Sequence, residues 1–105
     1  MENTFKKGQV KVLVYKEKEG STWYASALEL NLTIDSDDRS VALFELHEAI
    51  KNYIQSAEEI GDISLLNQEP DPELLSLWGG HISNSSEPIE SPYTSFSASV
   101  ETLEV

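Results

Sequence analysis

Three carboxylates, Asp35, Asp37 and Asp38, fall within four residues of the stretch TIDSDDRSVALFELHEAI. Carboxylates this close can share a proton or hold a hard cation. They also suit the start of a helix, where a side-chain oxygen caps unpaired backbone N–H groups and negative charge meets the positive end of the dipole. Spacing tests the metal reading. A calcium loop beginning at Asp35 needs an oxygen side chain at its fifth position, Gly at its sixth and Glu at its twelfth, and these are Arg39, Ser40 and Leu46. A two-metal nuclease needs acids converging from separate elements, one of them on a central strand, and the first strand-like segment contains no Asp. Asp38 is therefore expected as a helix N-cap, with Asp35 and Asp37 nearby, each gaining roughly 0.3–1 kcal/mol from the dipole.

The remaining chemistry-bearing residues are few. His47 falls among Glu48 and Lys51 on the polar side of the expected helix, and His81 follows Gly79 and Gly80 in an expected loop; neither has a partner at metal-ligand spacing. The chain has no cysteine, which removes a disulfide framework, a thiolate zinc site and a cysteine nucleophile together. It also lacks G-x-G-x-x-G, a P-loop and G-x-S-x-G. No catalytic, cofactor-binding or metal-binding residue is assigned, and no cofactor is expected.

Charge is more informative. The chain carries 19 Asp and Glu against 7 Lys and Arg, a formal charge of −12. All the bases lie at or before Lys51, so residues 52–105 are acidic without compensation. Nucleic acid binding draws on Lys and Arg to neutralise phosphates, so none is expected of this chain alone. A basic protein partner suits such a field, because opposite potentials steer encounter. The candidate contacts are Glu58, Glu59, Asp62, Glu69, Asp71 and Glu73, together with Trp78 as an apolar anchor. The start MENTFKKGQV has no apolar stretch behind its lysines and no run of 18 apolar residues occurs, so a cytoplasmic protein with no membrane association is expected.

The elements that must position these residues can be read from periodicity. Val10, Val12 and Val14 alternate with Lys11, Leu13 and Tyr15 as a strand with one well-buried face. KEKEGS reverses the chain, and Trp23, Ala25 and Ala27 alternate in a second strand. Leu30, Leu32 and Ile34 mark a short third strand. From Ser40 the period becomes helical: Ala42, Leu46, Ala49, Ile50, Tyr53, Ala57 and Ile60 form a stripe, widened by Leu43 and Ile54, and Gly61 ends it. Asp71-Pro72-Glu73 opens a short helix expected to stop at Gly79, with Leu74, Leu75, Leu77 and Trp78 covering one edge of the core or forming an interface. HISNSSEPIESPYTS reads as a loop, with disorder around Ser85 and Ser86 or use as a partner-binding strap, and Phe96, Ala98 and Val100 as a last strand, bulged near Thr102.

The expected fold is α+β: a small, mostly antiparallel sheet in the order β-β-β-α-α-β, with one long amphipathic helix and the helices packed on one face. At 105 residues it fits a single domain, with a core over residues 9–61, a short helix and Ser/Pro-rich loop over 62–95, and a terminal strand over 96–105.

The stretch VKVLVYKEKEGSTWYASALELNLTIDSDDRSVALFELHEAIKNYIQSAEE resembles the HicB antitoxin domain, a truncated ribonuclease-H-like fold of two strands, an Ala-to-Leu segment, an acidic turn and an amphipathic helix. Ala25 and Leu28 to Leu32 sit where that family's second and third strands end, Asp35 to Asp38 at its Gly-Asp-Thr turn, and Ala42, Leu46 and Ala49 on its helix core. The family's Pro-Gly and turn glycine are replaced by ELN and DSD, and the resemblance ends before the DNA-binding segment many members add. It implies a non-catalytic, oligomerising protein that covers a small basic RNA-cleaving toxin. The alternative is a stand-alone structural or regulatory homo-oligomer of the same fold, assembled through sheet edges or the Trp78 helix. A residual magnesium-dependent nuclease is the third reading.

Overall fold

β1 (Lys7–Glu17) is apolar on both sides of its pleat, and much of the architecture follows from that. Val10, Val12 and Val14 point to one face, Leu13 and Tyr15 to the other, and all are buried. A strand wet on neither face must lie inside a sheet that is covered twice. The computed structural model, which describes residues 3–4, 7–83 and 93–104, has this arrangement. The alternation predicts one well-buried face; there are two.

β2 (Trp23–Ala27) and β3 (Leu32–Ser36) complete a meander with β1, and β4 (Tyr93–Glu104) pairs on its other side. The sheet order is β3-β2-β1-β4, with every neighbouring pair antiparallel. A 3-10 turn, Leu28–Leu30, separates β2 from β3, and Asn31 closes it in the left-handed region at φ 51°. Asn tolerates that conformation better than most side chains because its amide bonds locally.

α1 (Arg39–Ile60) lies across β2 and β3 on the valine face. Its N-terminus is set by Asp38, whose Oδ1 accepts from Ser40 N at 2.8 Å and Val41 N at 3.1 Å. Its C-terminus is set by Gly61, at φ 78°, whose N–H donates to Ala57 O and Glu58 O. Both caps agree with the sequence reading, and the positive φ explains the glycine. Ala42, Leu46, Ile50, Ile54 and Ala57 are buried against Val10, Val12, Val14, Ala25, Ala27 and Leu30. Ile60, expected on this stripe, is 71 % exposed, because it occupies the last turn, past the sheet's cover.

α2 (Pro72–Ser83) corrects the expectation that the helices share a face. It packs on β1 and β4 through Leu77, which is buried with Leu13 and Tyr15, while Leu74 and Trp78 pack around them. The second apolar set of β1 requires that cover. α2 also runs on to Ser83, past the stop expected at Gly79, so both Gly79 and Gly80 lie within it. Asp71 caps it as expected, accepting from Glu73 N at 2.9 Å and Leu74 N at 3.3 Å.

The second helix explains the direction of β4. A single helix after β3 would bring the chain back parallel to β1; one further pass over the opposite face reverses it, so β4 is antiparallel to β1. β4 begins at Tyr93, three residues before the expected start, and its register shifts opposite Val14/Tyr15. Ser97 pairs with Val14 and Ser95 with Tyr15, so the extra residue is Phe96 rather than one near Thr102. The bulge turns Phe96 toward Trp23, with ring centroids 4.6 Å apart. Residues 84–92, including Ser85 and Ser86, lie outside the described residues.

Candidate protein-binding surface

The acidic candidates are brought together by the passage from α1 to α2. Glu58 and Glu59 occupy the last turn of α1 and are exposed. After Gly61 the chain enters a 3-10 turn, Ile63–Leu66, capped by Asp62 Oδ1 accepting from Ser64 N at 3.0 Å. Leu66 is buried and fixes this turn to the core. Buried Asn3 holds it from the N-terminal side: its Nδ2 donates to Leu66 O at 2.7 Å, and its N–H donates to Asn67 Oδ1 at 2.7 Å. Gln68 adds donations to Tyr53 Oη at 2.5 Å and to Leu65 O at 2.9 Å. The passage is therefore built into the fold.

From there Glu69, Asp71 and Glu73 carry the chain round the end of the sheet to the opposite face, all exposed. Six carboxylates thus lie on successive elements at the end where α1 finishes and α2 begins. Two do structural work: Asp62 and Asp71 cap helical turns, yet both remain in water with an oxygen to spare. No Lys or Arg falls between Glu58 and Glu73 in the sequence. Exposed Ile60 and Ile63, at 71 % and 39 %, lie among Glu58, Glu59 and Asp62, so this end is apolar as well as acidic. Sequence reasoning missed Ile60 because its helical phase matches the buried stripe.

Trp78 is elsewhere. It is half-buried on α2, its Nε1–H donates to Ser99 O at 3.1 Å, and Lys11 Nζ stands 5.5 Å from its ring centre. Lys11 is itself paired with Glu29 at 3.1 Å. Trp78 thus packs on β4 beside the Leu13, Tyr15 and Leu77 cluster rather than joining the acidic end.

The residues first singled out for chemistry have other partners. Asp38 caps α1, and Asp35 lies exposed on β3 opposite Tyr24. His47 is not on a free polar face: its Nε2 lies 2.8 Å from the Glu101 carboxylate and ties α1 to β4. His81 lies in α2, not in a loop, with Nδ1 at 3.1 Å from Ser95 Oγ. Among the described residues no group of three His, Asp or Glu side chains is disposed to hold a metal ion.

The helix-α2 face also contains a hydroxyl chain, buried at Tyr15 and Ser26 and reaching the surface at Thr33, that periodicity could not reveal. Tyr15 Oη and Ser26 Oγ share a hydrogen bond at 2.9 Å, and Ser26 Oγ and Thr33 Oγ1 share one at 2.8 Å. Register creates it, because β1–β2 pairing sets Ser26 beside Leu13 and β2–β3 pairing sets it opposite Thr33. Burial pushes the Tyr15 phenol above its ordinary value, against the lowering effect of the Ser26 and Thr33 bonds. The Tyr24 phenol is also raised, chiefly by its hydrogen bond to the Glu17 carboxylate. A shallow cavity of about 140 Å³ opens beside Ser26 and Thr33, bounded by Asp71 and Leu74.

No helix among the described residues is long and apolar enough to cross a membrane. No protein-family model, curated protein or solved structure matches the chain.

Proposed function

We propose that this is a non-catalytic, HicB-like antitoxin-type protein that binds a small basic RNA-cleaving toxin in the cytoplasm and blocks it, without gripping nucleic acid itself. The observation that carries the reading is the acidic end from Glu58 to Glu73, a segment without Lys or Arg, exposed on successive elements and held by the Asn3–Leu66 contacts. Opposite charge draws a basic partner to such a surface and is weakened by salt, while Ile60 and Ile63 supply the apolar contact that charge alone does not. The β-β-β-α order over the stretch resembling the HicB domain supports the same reading.

A second reading, a stand-alone homo-oligomer with no toxin, is favoured by the long edge strand β4, which among the described residues pairs with β1 alone. Capture from the native cell extract at low and high salt, with identification of retained proteins, separates the two. A small basic ribonuclease retained at low salt, released at high salt and lost with Glu58→Lys/Glu59→Lys/Glu69→Lys supports the toxin reading. Recovery of this chain alone, as a defined oligomer, removes it.

A further inference from the structure

We infer that β4 is the seam of a two-fold dimer, in which β4 of one copy pairs antiparallel with β4 of another and the two four-stranded sheets become one. The inference develops the homo-oligomer reading and is compatible with a toxin partner bound at the acidic end. It starts from the difference between the two sheet edges. β3 is five residues long and carries exposed Asp35, a guarded edge. β4 is twelve residues long, contains no Lys, Arg or Pro, is rich in Ser and Thr, and has one of its two carboxylates, Glu101, paired with His47. Its only interruption is the bulge at Phe96, which leaves the run from Ser97 onward regular.

Backbone direction fixes which groups are open. Lys11 N–H donates to Glu29 Oε1, on the β2 side of β1, so the alternation of a strand turns Val10, Val12 and Val14 toward β4. Val12 pairs with Ser99 and Val14 with Ser97, so the backbone groups of Ala98, Val100 and Thr102 point away from the sheet. Trp78 does not consume them, because it bonds to Ser99 O.

The open side is complementary to itself. With Val100 on the two-fold axis, Val100 faces its symmetry mate, Ala98 faces Thr102, and Ser99 faces Glu101. The open N–H and C=O groups then meet in pairs, no carboxylate faces a carboxylate, and the apolar side chain of Val100, 49 % exposed in the single chain, is covered. Centring on Glu101 would set two carboxylates against each other, and centring on Ala98 would carry the Phe96 bulge into the seam. An interface of this kind is isologous and closes at two copies. Each copy carries −12, so added salt strengthens the dimer, the opposite of its effect on capture of a basic partner.

The test uses the absence of native cysteine. In a hydrogen-bonded antiparallel pair the Cα atoms are about 5.5 Å apart, within the roughly 4.4–6.8 Å that a disulfide spans. Val100→Cys is therefore expected to form a disulfide-linked dimer rapidly and to completion on mild oxidation, whereas Asp35→Cys on the opposite edge does so slowly. Light scattering of the unmodified protein is expected to give twice the 11.7 kDa chain mass, and Val100→Lys, with like charges on the axis, the single-chain mass with unchanged circular dichroism. A monomer at high micromolar concentration overturns the inference. So does a dimer that survives Val100→Lys while Val100→Cys links no faster than Asp35→Cys. These readouts are mass and cross-linking, so they fail independently of any assay of RNA cleavage.

Discussion

The two faces of the sheet are secured by different means. On the valine face a 22-residue helix lies on aliphatic side chains, and its buried row, Ala42, Leu46, Ile50, Ile54 and Ala57, contains no polar atom beyond the backbone. On the other face a 12-residue helix with two internal glycines rests on one buried leucine, Leu77, and a group of aromatic rings. Tyr15 stacks on Tyr24 at 5.3 Å and meets Tyr93 edge-on at 5.0 Å, above the Ser26–Thr33 hydroxyl chain. Aliphatic burial is non-directional and grows with area, so the first face can hold its helix by packing alone. The second has less to bury and depends on placed hydrogen bonds, including Trp78 to Ser99 O and His81 to Ser95.

Substitutions that break each face should show this contrast. Leu46→Ala, at the fully buried centre of the α1 interface, is expected to cost about 2–5 kcal/mol in denaturant unfolding, because a cavity between helix and sheet cannot easily collapse. Leu77→Ala is expected to cost less, about 2 kcal/mol, since α2 can settle toward the sheet; amide exchange should quicken in α2 and leave α1 nearly unchanged. Equal exchange throughout both helices would show that the faces are not separable.

The phenols sharpen the comparison through pH. Tyr15 and Tyr24 titrate above the ordinary value of 10.0 in the folded chain, so the unfolded chain loses its phenolic protons first. Their contribution to stability is complete below pH 10 and is lost as pH rises through the folded values. Tyr15→Phe should therefore flatten the alkaline fall in melting temperature while lowering stability at neutral pH, where the bond to Ser26 is missing. An unchanged alkaline slope would remove Tyr15 from the account of that face. The smallest effect is a gain: Gly79→Ala, inside α2 with open space around an added Cβ, should stabilise by about 0.4–1 kcal/mol.

What was legible in the sequence follows the same division. The period of α1, its Asp38 and Gly61 caps, the β1–β2 hairpin and the Asp71 cap of α2 all depend on residues close in sequence, and each is found. The second face depends on what lies far apart. Leu13 and Tyr15 read as the lesser side of a strand because their cover, Leu77, comes more than sixty residues later. The Asn3 contacts with Leu66 and Asn67 span a similar distance, and no periodicity signals them. Of the candidate surface, the acidic composition was plain, but its apolar centre was not, since only the placement of the last turn of α1 shows that Ile60 faces water. Trp78, for which the sequence offers edge cover or interface, packs within the chain on the second cluster and bonds to Ser99 O.

The most direct measurement is an RNA-cleavage assay of the basic protein captured from the extract, titrated with this chain and with its Glu58→Lys/Glu59→Lys/Glu69→Lys variant. Cleavage that stops at a stoichiometric ratio with the native chain, and continues in the presence of the equally well-folded variant, is the predicted result. Equal inhibition by both, or RNA cleavage by this chain alone in magnesium, would contradict a non-catalytic binder acting through its acidic end.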